Sequence, residues 1–174
     1  QPDTPVEDYF DVIGGKTAVL FSAAAAAGIE ITGVPAAQVE AMQVYGMELG
    51  MAFQIMDDAL DYTASAEQMG KNAGDDFADQ KITLPTILAW QDGDAEERAF
   101  WQRTLGEANF TEGDLERAQA LLAAHDAVNR SVAVAHDHAM KAGAALAPFI
   151  GDDRTAPLAR ALADAALFAA HRAS

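Results

Sequence analysis

A chain of 174 residues, 51% of them hydrophobic, is long enough to bury one core and falls within the size of a single domain. Its formal net charge of -16, from 27 acidic residues against 11 basic ones, argues against a nucleic-acid or anionic-membrane surface, since both attract basic patches. With no cysteine there is neither a disulfide framework nor a thiolate zinc site, which suits a reducing cytoplasm.

Alanine is abundant, proline stands at segment edges, and no stretch alternates in the manner of a strand, so the whole chain is expected to be helical. The first residues, Gln1 to Pro5, carry neither an initiator Met nor the regions of a signal peptide, as though the chain were entered partway. A first helix is expected from about Glu7 to Gly28. Its longest nearly apolar run, Ala18 to Ile29, is shorter than the roughly 20 residues that span a bilayer, so no transmembrane helix is expected. A second, long helix starts near Pro35 and continues to about Tyr62. The polar stretch from Thr63 to Lys81, with Gly70 and Gly74, breaks the pattern until Pro85 opens another helix. Asp94 with Glu97 forms a capping box, Thr111 and Thr155 are expected N-caps, and a further helix crosses Ala127 to Ala147. No repeat or linker divides the chain, so residues 1–174 are expected to form one unit. Phe100, Trp101, Leu121, Leu122 and Phe168 are expected in its core.

The second helix carries Asp57, Asp58 and Asp61 in an otherwise apolar segment. Asp57 and Asp61 stand four apart, which puts their Cβ atoms roughly 5–6 Å from each other on one face, and like charges there destabilise a bare helix. A divalent cation reverses the sign. Magnesium takes hard oxygen ligands, typically one or two carboxylates plus phosphate oxygens and water, so the pair suits a metal-bound diphosphate. Asp58, about 100° round the helix, is better placed to orient a water or meet a lysine. Gly46 and Gly50 share the Asp57 face, bare backbone that suits either a ligand or a closely packed helix, with packing the simpler reading. Before Arg98 the only basic residues are Lys16, Lys71 and Lys81. Three ammonium groups so sparingly used could converge on one anion, for lysine is a phosphate ligand of the point-charge kind. Lys81 could equally pair with Asp79 or Asp76, and Asp75 and Asp76 could simply brace the loop. His136 and His138, two apart, face different directions on a helix and are expected at the surface.

The segment Gly50-Met51-Ala52-Phe53-Gln54-Ile55-Met56-Asp57-Asp58-Ala59-Leu60-Asp61-Tyr62 resembles the second aspartate-rich motif of trans-type polyprenyl diphosphate synthases. Gly15-Lys16-Thr17-Ala18 is similar to that family's Lys-Thr motif, and Gly70-Lys71 through Lys81-Ile82-Thr83-Leu84-Pro85 to its lysine loop. The resemblance implies an all-α helical bundle of the isoprenoid synthase fold, incomplete, with only the C-terminal helices present. It implies that Lys16, Thr17, Phe53, Gln54 and Lys71 bind an allylic diphosphate, with Lys81 in support. Lys16, Asp57 and Lys71 are then the catalytic residues, and Asp57, Asp58 and Asp61 form the magnesium (Mg2+) set. The implied reaction joins that diphosphate to isopentenyl diphosphate, giving a long all-trans chain of the octaprenyl or decaprenyl type in a cytoplasmic homodimer. No arginine precedes Arg98, and the family's first aspartate-rich motif is absent, so a missing N-terminal half is an implied partner. The alternatives are a non-catalytic partner subunit and a terpene cyclase on the same fold. The Lys-Thr and Gln motifs speak against the cyclase, and the intact DDxxD against the subunit.

Overall fold

The computed structural model describes residues 1–63 and 74–171. Among these every regular element is helical, and there is no strand. The elements are α1 (Val6–Ile13), a π-helical turn (Gly14–Ala18), α2 (Val19–Glu30), α3 (Ala36–Leu60), α4 (Asp75–Ala78) and α5 (Leu84–Asp92). They continue as α6 (Ala95–Trp101), a second π-helical turn (Gln102–Gly106), α7 (Asp114–Ala124), α8 (Ala127–Ala145), a short 3-10 turn (Ala147–Phe149) and α9 (Ala156–Ala169). Contacts group the chain into two compact units. The first holds Gln1–Tyr9 and Asp57–Val132, the second Phe10–Met56 and Ala133–Ser174.

The first unit is organised around aromatic residues. Phe77 lies over Phe100 at 6.4 Å, meets Trp101 edge-on at 6.3 Å, and is buried with Tyr62, Leu105, Ala118 and Leu122. Trp101 is 1% exposed, and burying apolar side chains of this size stabilises by about 2–3 kcal/mol each. Two of the helices entering this core, α5 and α6, carry side-chain hydrogen bonds at their first turns. Thr83 and Thr86 close α5, with Pro85 in its first turn, and Asp94 accepts from the amides of Glu96 and Glu97 while Glu97 returns to the Asp94 amide. Thr111 is not the cap of α7. Gly113, at φ 87°, holds that position, and the Thr111 amide instead donates to Asp114 at 2.6 Å. Arg103 grips the same carboxylate through both terminal nitrogens, at 2.9 and 2.7 Å, and holds Asp114 well below the usual carboxylate range.

In the second unit, helix meets helix through glycine and alanine. A methyl group built on Gly46 would lie 2.4 Å from the Phe21 carbonyl oxygen, and one on Gly50 would lie 2.5 Å from Ala18 Cα. The bare face of α3 is therefore filled by the backbone of the π-turn and α2, which settles the two sequence readings in favour of packing. Ser22 donates to the Gln43 carbonyl (2.9 Å) and Tyr45 to that of Leu162 (2.9 Å). Alanines 135, 139, 142, 159 and 166 line the buried sides of α8 and α9. His138 is not a surface residue: its side chain is 14% exposed, Nδ1 lies 2.6 Å from Glu48, and its ring meets Phe10 edge-on. Phe168, expected in the core, is 71% exposed. It follows Ala166 and Leu167 on the alanine-rich α9, where small side chains leave the buried stripe narrow. Thr155 precedes α9 without a capping bond from its side chain and donates instead to the Phe149 carbonyl.

Neither Gly14 nor Gly15 ends the first helix, so α1, the π-turn and α2 run on as one helix of 25 residues, Val6–Glu30. Its best 18-residue window has a mean hydropathy of 1.6, and 17% of that window is buried. By length and composition alone it is long and apolar enough to cross a bilayer, a test that the core helix of a protein without a membrane span passes equally.

Candidate functional site

The acidic residues of the first unit are assembled by backbone. α3 ends at Leu60, and Gly74, at φ 83°, donates its amide to the Asp61 carbonyl at 2.8 Å. That left-handed conformation suits glycine, and it lets α4 start with Asp75 and Asp76 beside the end of α3. The Asp76 amide donates to Asp61 Oδ2 at 2.9 Å, and Lys81 Nζ reaches Asp76 Oδ1 at 2.5 Å and Asp79 at 3.7 Å. Asp57, Asp61, Asp75, Asp76, Asp79, Ala78 and Lys81 line a polar cavity of ≈ 420 Å³. Burial is the main reason that the Asp61 carboxyl is pushed up to about 6. The Asp76 amide and Lys81 pull against that rise, while the charges of Asp76 and Asp75 add to it.

Asp58, on the same helix, turns elsewhere. Its Oδ2 accepts from the Tyr9 hydroxyl at 2.7 Å, and both residues are buried. Burial, followed by the Asp58 charge, pushes the Tyr9 phenol far above its usual range, so it stays a donor. Sequence reasoning missed Tyr9, because nothing local marks a tyrosine 49 positions away as the partner of an aspartate. Lys71 lies outside the described residues.

The remaining candidates belong to the second unit. Lys16 and Thr17 fall within the π-turn, where the Val19 amide donates to the Gly14 carbonyl five residues back. Lys16 is exposed, and Thr17 Oγ1 donates to Gln54 Oε1 at 3.0 Å. Phe53 is half-buried, with its ring 5.7 Å from that of Phe21.

Among the described residues no group of three or more His, Asp or Glu side chains is placed so as to hold a metal ion. Magnesium does not ask for such a group. It keeps several waters and takes one or two carboxylates together with phosphate oxygens, so an open cavity walled by hard oxygen donors fits it. Asp61, raised mainly by burial and further by the charges of Asp76 and Asp75, is a carboxylate whose ionised form a divalent ion would favour.

The model of the family described as Polyprenyl synthetase matches residues 1–122. An octaprenyl diphosphate synthase of Haemophilus influenzae is 37% identical over 141 residues, covering 81% of this chain and 43% of the relative. Solved structures of two bacterial synthases, among others, match over the whole of this chain. A polyprenyl synthase from Caulobacter crescentus CB15, complexed with calcium and isoprenyl diphosphate, has a TM-score of 0.91 at 42% identity. A decaprenyl diphosphate synthase from Rhodobacter capsulatus has a TM-score of 0.90 at 41% identity. This chain covers 52% of each of those two chains, so it spans about half the length of the relatives it matches. Its helices have the all-α isoprenoid synthase fold of these neighbours. With a family model matched over most of its residues and helices that superpose on those of solved members, the chain belongs to the polyprenyl synthetase family.

Proposed function

We propose that this chain supplies the second aspartate-rich motif and the lysines of a trans-prenyltransferase, which elongates an allylic diphosphate with isopentenyl diphosphate to a long all-trans polyprenyl diphosphate. The observation that carries the reading is the carboxylate-lined cavity with Lys81 on its wall. Asp57 and Asp61 would hold magnesium, which when bound supplies positive charge to a departing diphosphate. Asp58 acts from behind, anchored by Tyr9. Lys16, Thr17, Phe53, Gln54 and Lys71 would bind the allylic diphosphate, with Lys81 in support, and the ammonium groups stabilise the charge that develops as the carbon–oxygen bond breaks. The Thr17 hydroxyl, by engaging Gln54 Oε1, fixes which end of that amide is acceptor and which donor. Loss of a proton from the new carbon skeleton completes each addition. The long-chain assignment draws on the octaprenyl and decaprenyl diphosphate synthases among the relatives. A homodimer, a cytoplasmic location and an N-terminal segment carrying the first aspartate-rich motif belong to the same reading.

The test is Asp57→Ala in the full-length protein. Magnesium-dependent elongation should fall by about 100-fold or more, with helical circular dichroism retained. Full activity in that variant overturns the assignment.

A further inference from the structure

Asp57, Asp58 and Asp61 stand together at the end of α3, yet only the outer two of them line the acidic cavity. Asp58 is 6% exposed and does not belong to the cavity wall. Its place on the helix does not explain this. Asp58 and Asp61 are three residues apart, so they lie about 60° from each other on the wheel, with Cβ atoms roughly 5–6 Å apart. Neighbours at that spacing can share one divalent ion, and what holds Asp58 aside therefore matters. The hold is a phenol: Tyr9 Oη donates to Asp58 Oδ2 at 2.7 Å across 49 positions of sequence, and Tyr9 is itself 4% exposed. Packing accounts for the ring but not for the hydroxyl, because a phenylalanine would offer the same ring, and a hydroxyl taken out of water is costly unless it is bonded. The charge of Asp76, a wall residue, also reaches the Tyr9 phenol, so the pair lies close behind the cavity. With Oδ2 engaged, the carboxylate cannot swing toward Asp61 without giving up a buried bond that water does not replace.

The number of carboxylates a helix offers bears on which ion it holds. Magnesium keeps several waters and takes one or two carboxylates, whereas calcium takes about six to eight oxygens in a looser geometry and is held more tightly as charged ligands are added. We propose that Tyr9 is a positioning residue that sets the metal preference of the acidic cavity: by fixing Asp58 at the back of α3, its hydroxyl limits the helix to two carboxylates and so favours magnesium over calcium. The inference rests on the proposed function for the presence of a divalent ion. It adds a determinant of which ion is held, in a residue that acts only by way of Asp58.

The test is Tyr9→Phe in the full-length protein, with binding read by electron paramagnetic resonance as the displacement of bound Mn2+ by Mg2+ or by Ca2+. The ratio of calcium affinity to magnesium affinity should rise about fivefold or more. Adding Asp58→Asn to Tyr9→Phe should bring the ratio back to within about twofold of the wild type, because the released carboxylate is then gone. Lost packing support would lower the melting temperature without moving the ratio, so an unchanged ratio in folded Tyr9→Phe overturns the proposal. A ratio that stays raised in the double variant overturns it too, since Tyr9 would then act other than through Asp58. If Tyr9→Phe does not fold, Asp58→Asn alone decides. Unchanged displacement by Mg2+ supports the proposal, and displacement weakened about tenfold overturns it by making Asp58 a ligand in the wild type. Failure of the wild type to bind Mn2+ at all, with or without inorganic pyrophosphate, overturns the proposed function and this inference with it.

Discussion

Alanine substitution of glycine should have opposite signs at different points of two packed helices, and the sign follows from what the added methyl meets. In a helix interior the exchange is favourable by about 1 kcal/mol, because glycine loses more backbone freedom on folding. At Gly15 and Gly28 nothing lies within 4 Å of the new carbon, so Gly15→Ala and Gly28→Ala should stabilise by about 0.5–1 kcal/mol. At Gly46 the new carbon would lie 2.4 Å from the Phe21 carbonyl oxygen and 2.7 Å from Ser22 Cα, and at Gly50 2.5 Å from Ala18 Cα. These distances are roughly 1 Å short of the optimum for non-bonded atoms. The atoms met are main chain and cannot rotate aside, so α3 and the first helix must part. Overpacking of this kind costs about 1–3 kcal/mol, and with backbone on both sides the upper end applies. Subtracting the propensity gain leaves a net loss of about 2 kcal/mol for Gly46→Ala and for Gly50→Ala. Urea denaturation of the four variants, compared at constant m-value, measures all of this in one series. If Gly46→Ala and Gly50→Ala proved as stable as the wild type, the close approach that places Ala18 on Gly50 would be refuted.

The acidic cavity predicts a conflict between charge and stability. Because the folded-state pKa of Asp61 is raised to about 6, ionisation of this group works against the fold: the penalty is absent below the ordinary value of 3.8 and fully present above about 6. Asp61→Asn should therefore stabilise by about 2 kcal/mol at about pH 8 and by nothing below about pH 4, while weakening magnesium binding. Denaturation curves at the two pH values check it, and an equal effect at both would show that burial of charge is not the cause. In the loop, Gln80 sits at φ 57° just before Lys81. A left-handed non-glycine residue costs about 1–2 kcal/mol and a glycine about 0.5–1 kcal/mol in unfolded-state entropy, so Gln80→Gly should gain about 0.5 kcal/mol. A lower melting temperature would mean that contacts of the Gln80 side chain outweigh the strain.

The helices were legible because alanine content, edge prolines and caps are local signals: Asp94 with Glu97 and the start near Pro85 need no knowledge of neighbours. That Asp57, Asp61 and Lys81 line one cavity is a similarly local matter, since they lie on one helix end and the loop that follows it. What stayed hidden depends on residues far apart in sequence. Tyr9 finds Asp58 and His138 finds Glu48 only once the chain is folded, and Phe168 is left in solvent because the alanines around it make a stripe too narrow to include it. The π-turn lies between these cases. Its five-residue step from Ile13 to Ala18 is present in the sequence, yet the run Ala23 to Ala27 offers a small apolar residue at every phase, so periodicity cannot choose among registers there. Close approach at Gly46 and Gly50 makes the choice, because only one register sets Ala18 and Ser22 against bare backbone. Two glycines on α3 thus determine how the first helix lies against it, and that register in turn requires the fifth residue of the step from Ile13 to Ala18 to be absorbed within the π-turn.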